Sequence, residues 1–203
     1  MANKGSPYER HVCDLLSAWW TGSDETRVFW RSATSGGAAT VRGRKGKKTA
    51  NHYGDITSSD ASALKFLKLV SVELKRGYTR ATFMDLLDYS AKKMSSPRPP
   101  KPCPYELFID QAMTAAEAAG AHFWMVIHRR DGKDSMVFVP AAMTDHFHEA
   151  GVVFKGPVVR AKVVVRRKSG KVKLSVVGCR LETFLSSVTR KDVKALLKLL
   201  EGR

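Results

Sequence analysis

The sequence predicts an α/β protein finished by a basic C-terminal β-hairpin and helices. Three observations carry that reading. Apolar residues recur at helical spacing in separate segments, as at Val12, Leu15, Leu16 and Trp19 and again at Val193, Leu196, Leu197 and Leu200. Period-two alternation marks strands, clearest over 69–75, where Val70, Val72 and Leu74 take one face and Ser71, Glu73 and Lys75 the other. Turn residues at Arg130-Asp131-Gly132 and at Ser169-Gly170, each between alternating runs, mark two hairpins.

Taken in order, Ser6 is a fitting N-cap, Pro7 suits the first helical position and Glu9 completes a capping box, so the first helix runs to Thr21-Gly22-Ser23. Residues 28–30 read as a short strand leading into a loop over 31–37, and 41–51 as a basic loop or arm. Residues 53–56 read as a turn entering a strand and 59–66 as irregular. The strand at 69–75 is followed by a helix over 82–94 and a proline-rich linker over 95–104. A helix over 105–119 ends at Gly120. Strands at 123–128 and 135–139 form the first hairpin, and a helix over 141–149 stops at Gly151. Strands at 158–168 and 171–177 form the second hairpin, and Thr189 with Asp192 is a capping box for the last helix. Trp19, Trp20, Phe29 and Trp30 read as core. Residues 1–140 form the main body and 141–203 a basic extension packed on it, a single domain overall.

Composition narrows the function. With 43% hydrophobic residues the 203-residue chain can bury a core, which excludes a wholly disordered protein. No stretch approaches the roughly 18 apolar residues that span a bilayer, and residues 1–7 do not read as a secretory signal. Three distant cysteines form neither a disulfide framework nor a metal knuckle, and a reducing interior suits them. The charge of +16, from 35 Lys+Arg against 19 Asp+Glu, calls for a polyanionic partner, nucleic acid first. Five of those cations, Arg42, Arg44, Lys45, Lys47 and Lys48, crowd into one glycine-containing run. It lacks the glycine spacing of a phosphate-binding P-loop and reads as contacts to a nucleic-acid backbone. The second hairpin lies in a stretch, 152–180, with nine Lys/Arg and no acid, and reads as another backbone contact.

The chemistry concentrates in Gly54-Asp55 and Val72-Glu73-Leu74-Lys75. The strand period sets Glu73 and Lys75 side by side. If the segment of Asp55 pairs with that strand, Asp55 and Glu73 converge on one hard cation through oxygen ligands, as Mg²⁺ prefers. Lys75 would then position or deprotonate an attacking water beside a scissile phosphate. The bland alternative is an ion pair on a strand.

A helix Glu, then Arg-Ser, Gly-Asp and Glu-x-Lys, in that order, resembles the PD-(D/E)XK nuclease superfamily, and most of all the archaeal-type Holliday-junction resolvases and their phage relatives. The residues that carry the resemblance are Glu9, Arg31, Ser32, Asp55, Glu73 and Lys75, within roughly residues 5–128. The resemblance implies a restriction-endonuclease-like fold, a mixed central sheet flanked by helices, with Mg²⁺ or Mn²⁺ held by Asp55, Glu73 and Glu9. It further implies cleavage of branched or structured DNA by a homodimer in a bacterial or phage-infected cytoplasm. Arg31, Ser32 and Arg76 would contact the backbone, and Gln111 would fill a glutamine position of the site. The chain departs from the pattern where Gly54 replaces the usual proline and where the segment between Ser32 and Asp55 is long and basic. Two rivals stay open: a non-catalytic nucleic-acid-binding protein, and a nuclease acting on linear duplex.

Overall fold

The computed structural model describes residues 5–32, 54–88, 97–98 and 100–202. Its centre is a five-stranded mixed sheet of β3 (Val70–Arg76), β4 (Phe123–Arg129), β5 (Ser135–Pro140), β6 (Val158–Arg167) and β7 (Gly170–Arg180), in the spatial order β3-β4-β5-β7-β6. Only β3 and β4 run parallel, with Lys75 opposite His128, and the other pairs are antiparallel. A parallel pair needs a crossover. It is supplied by α3 (Pro104–Ala119), with Pro104 in its first turn and Gly120 closing it in the left-handed conformation at φ +68°.

Helices cover both faces of this sheet. On one face lie α1 (Gly5–Thr21), α2 (Leu64–Leu69), α4 (Ala141–Glu149), α5 (Leu181–Ser187) and α6 (Arg190–Glu201), around a core that includes Val12, Leu16, Trp20, Phe66, Val72, Leu74, Met125 and Phe184. On the other, α3 buries Tyr105, Phe108, Ile109 and Ala112 against Trp124, Val126, Phe138, Val163 and Val176. This is the fold class that the sequence predicts. A separate antiparallel pair, β1 (Trp30–Arg31) and β2 (Ile56–Thr57), hangs beside β3. Among the described residues no helix is long and apolar enough to cross a membrane.

Several elements differ from expectation, each for a local reason. The first strand lies at Trp30–Arg31 rather than 28–30, because Val28 and Phe29 instead donate their backbone N–H groups to the buried Ser17 hydroxyl on α1. Residues 64–69 are helical, not irregular, and take Leu69 from the strand. Asp60 nucleates this turn by accepting from the Ala63 N–H and the Ser62 hydroxyl. The helix expected over 82–94 is a 3-10 turn at Phe83–Leu86, closed by the reciprocal Thr82–Asp85 capping box, and 89–94 lie outside the described residues. The strand predicted to be half polar is buried on both faces, with Ser71 against the Gly54 turn and Glu73 on the side of α3. Trp30 is 44% exposed and not core.

The basic hairpin spends its arginines internally. Arg166 grips the buried Glu106 of α3 at 2.6 and 2.7 Å, Arg167 meets Asp110 at 2.9 Å and Glu117 at 2.5 Å, and Arg160 holds Asp145 of α4. These side chains tie sheet to helices, and the exposed cations of the ribbon are Lys162, Lys168, Lys171 and Lys173, with Arg160 and Arg180 also open to solvent.

Candidate active site

The turn before β2 and the strand β3 meet through one glycine. Gly54 has φ +83° and bridges to Val72 in parallel. A Cβ there would lie 2.3 Å from the Val72 carbonyl oxygen. Proline, locked near φ −65°, cannot take this conformation, so the departure from the usual proline follows from how closely this chain packs its turn on β3. Two bonds then lock Asp55: its N–H donates to Val72 O at 2.8 Å, and its Oδ2 accepts from the Leu74 N–H at 2.8 Å. Ser32 donates its N–H to the Asp55 carbonyl at 2.8 Å, fastening the end of β1 to the same turn.

Glu73 points toward α3 and is 3% exposed. Its carboxyl lies close enough to that of Asp55 for the two charges to oppose each other. Burial, then the Asp55 charge, pushes Glu73 up to about 7. Burial also raises Asp55, opposed by the Leu74 N–H and by Lys75. Two carboxylates in one dry place repel, so each opposes the ionisation of the other. Lys75 Nζ donates to Glu73 Oε1 at 2.5 Å and to Gln111 Oε1 of α3 at 2.9 Å, and lies 5.6 Å from the Phe108 ring centroid. Asp55, Glu73, Lys75 and Gln111, far apart in the chain, thus form one connected group.

The other candidates stand around it differently. Glu9 on α1 is near enough to repel Asp55, but its carboxylate is ion-paired with Arg31 of β1. Among the described residues no three acids, histidines or cysteines gather as a metal-ligand set. The expected three-acid cluster is therefore two acids, with the third neutralised by a guanidinium. Ser32 is fully buried, which places its hydroxyl out of reach of a passing phosphate. Arg76 turns to the α1 side of the sheet, over the Tyr8 ring and 3.4 Å from Asp131. Arg42, Arg44, Lys45, Lys47 and Lys48 lie outside the described residues.

One group escaped the sequence reading. His128, beside Lys75 on β4, is 1% exposed, and burial pushes it below the usual histidine range. Neutral, it donates from Nε2 to Gly77 O at 2.9 Å and accepts at Nδ1 from the Tyr105 hydroxyl at 2.8 Å. That fixes the turn just after Lys75, where Tyr78 adopts φ +52°. A single histidine in an apolar strand gives no signal of this in sequence.

The family described as "Phage putative PDDEXK endonuclease" matches residues 1–195. The chain belongs to this family. The match runs well past residue 128, so it takes in the basic hairpin and the first half of the last helix, which the motif resemblance did not cover. The five-stranded mixed sheet between helix layers agrees with the restriction-endonuclease-like fold of PDDEXK nucleases. No curated protein and no solved structure matches the chain.

Proposed function

We propose that this PDDEXK endonuclease hydrolyses DNA phosphodiester bonds with a divalent metal, Mg²⁺ or Mn²⁺, held by Asp55 and Glu73. The carrying observation is that Asp55, anchored on the Leu74 N–H, stands beside the buried Glu73, with Lys75 bound to Glu73. The donor set fits such an ion: hard carboxylate oxygens from two neighbouring acids, whose mutual repulsion a divalent cation would relieve. When bound, the ion supplies Lewis-acid activation of water and neutralises charge on the phosphate. The Leu74 N–H orients the Asp55 carboxylate. Lys75, kept extended by Glu73 and Gln111, positions the attacking water and offsets the negative charge that grows on the phosphorane-like transition state. Glu9 acts by fixing Arg31, which faces the backbone, and the run 42–48 supplies further backbone contacts.

For substrate, the motif order supports branched or otherwise structured DNA, cut by a homodimer whose symmetry matches two strands. Purified protein incubated with labelled four-way junction, linear duplex and single strand, in Mg²⁺ or EDTA, tests this. Cleavage is expected with metal only and highest on the junction, and Lys75→Ala should lower the rate by about 10²–10⁴-fold with DNA affinity kept. Cleavage in EDTA, or full rate in Lys75→Ala, would overturn the mechanism. Binding without cleavage under any metal would leave a nucleic-acid-binding protein. Preference for linear duplex would move the substrate class.

A further inference from the structure

Lys75 stands at one end of a row that crosses the sheet to a recess the cleavage chemistry does not use. Lys75 on β3 is opposite His128 on β4, His128 is opposite Met136 on β5, and Met136 is opposite Arg180 at the end of β7. Residues paired across a sheet share a face, so all four lie on the α3 side. There a recess of about 270 Å³ opens between the 3-10 turn and the β4–β5 hairpin. Phe83, stacked 5.0 Å from Phe138, and Tyr105, edge-on to both, form its floor. Arg130, Lys133 and Arg180 line it as well. Among the described residues Asp134 is the only acid in its lining, and it lies 3.8 Å from Arg180. The other acids nearby are engaged elsewhere, Asp131 with Arg76 and Asp85 with its own Thr82 cap. Arg130 and Lys133 have no ion-pair partner among the described residues. Tyr78, 53% exposed, joins this place to the acid pair: its ring lies 4.8 Å from Phe108, which touches Lys75, and 6.3 Å from His128 in the recess wall.

Two cations without internal partners beside an aromatic floor suit a phosphodiester with its sugar, the phosphate meeting the charge and the sugar presenting carbon to the rings. Two to three strand spacings, about 10–14 Å, separate the recess from Lys75. We propose that the recess is a second DNA-backbone site, in which Arg130 and Lys133 hold a phosphate about three to four linkages from the one that is cut. The inference rests on the nuclease reading and adds the path of the substrate to it: the DNA leaves the acid pair over Tyr78 and runs along the α3 side of the sheet toward β7.

The test is equilibrium binding of a labelled duplex in EDTA over a range of salt. Arg130→Gln and Lys133→Gln are compared with wild type and with Lys191→Gln, an equal loss of charge on α6 across the sheet. Each recess variant should lower the slope of log affinity against log salt by about 0.9, and Lys191→Gln should leave it unchanged. Lys133→Arg should keep the wild-type slope. A second measurement locates the phosphate: single linkages of the duplex are neutralised as methylphosphonates, counted from the cut that wild type makes in Mg²⁺. One neutral linkage, about three to four from that cut, should weaken wild-type binding about threefold and have no effect on the double variant Arg130→Gln, Lys133→Gln. Thermal melting of each variant separates these effects from misfolding. Unchanged slopes in the recess variants, an equal drop in Lys191→Gln, or one linkage pattern shared by wild type and the double variant would overturn the proposal, while Mg²⁺-dependent cleavage by wild type left the nuclease reading standing. Failure of wild type to bind or cut any DNA would overturn both.

Discussion

Glu73 is the residue on which the chemistry and the stability of this chain meet. Its carboxyl keeps a proton up to about pH 7 because burial and Asp55 both oppose its charge, against an ordinary value of 4.5. Between those values the folded chain binds a proton that the unfolded chain has released. The stabilisation is therefore complete below pH 4.5 and is lost as pH rises through 7. The metal-free protein should lose stability on the order of 3 kcal/mol over that window, and Glu73→Gln should remove the loss. Chemical denaturation of both proteins in EDTA between pH 5 and 8 measures it, and parallel pH profiles would contradict the assignment. The pairing of Glu73 with Lys75 was readable in advance because strand periodicity alone sets residues two apart on one side. The partner of Glu9 was not: only folding brings Arg31 against it. Trp30 was misread for a related reason, since an indole in an apolar run looks the same whether the two-residue strand under it is covered or open.

Among the elements, α3 joins the two ends of the account. Phe108 and Gln111 reach Lys75 on β3, while Glu106, Asp110 and Glu117 are clamped by Arg166 and Arg167 on β6. Glu106 is 2% exposed, so removing its guanidinium strands a buried carboxylate. Arg166→Ala should cost about 3–5 kcal/mol, whereas the double change Arg166→Met, Glu106→Gln should recover much of it. Urea melts of the single and double variants check this, and a loss under 1 kcal/mol in Arg166→Ala would show that the clamp carries no weight. The hairpin itself was legible from Ser169-Gly170 and from the alternation of Val163 and Val165 with charged neighbours. Its arginines were legible only as charge, because whether a cation meets solvent or an acid depends on the distant helix that packs there. The short α2 was missed because six residues give too little periodicity to tell from a loop.

The chain as a whole carries +16, yet Arg27, Arg31, Arg160, Arg166 and Arg167 are engaged with acids of the same molecule. Net charge thus foretold a polyanion partner correctly in kind, as membership of an endonuclease family agrees, while overstating how many arginines face it. The alternation of helices and strands sufficed for the fold class. The order of the strands was not readable, since β7 and β6 reach the sheet by pairing that local sequence does not encode. What the whole arrangement achieves is to carry Asp55, on a turn pinned by Gly54, to the side of Glu73. Calorimetric titration of Mn²⁺ into wild type and Asp55→Asn follows directly. The account predicts a site in wild type that tightens as pH rises toward 8 and releases a proton on filling, and at least about tenfold weaker binding in the variant. Equal affinity in the two proteins, with cleavage retained by Asp55→Asn, would contradict it.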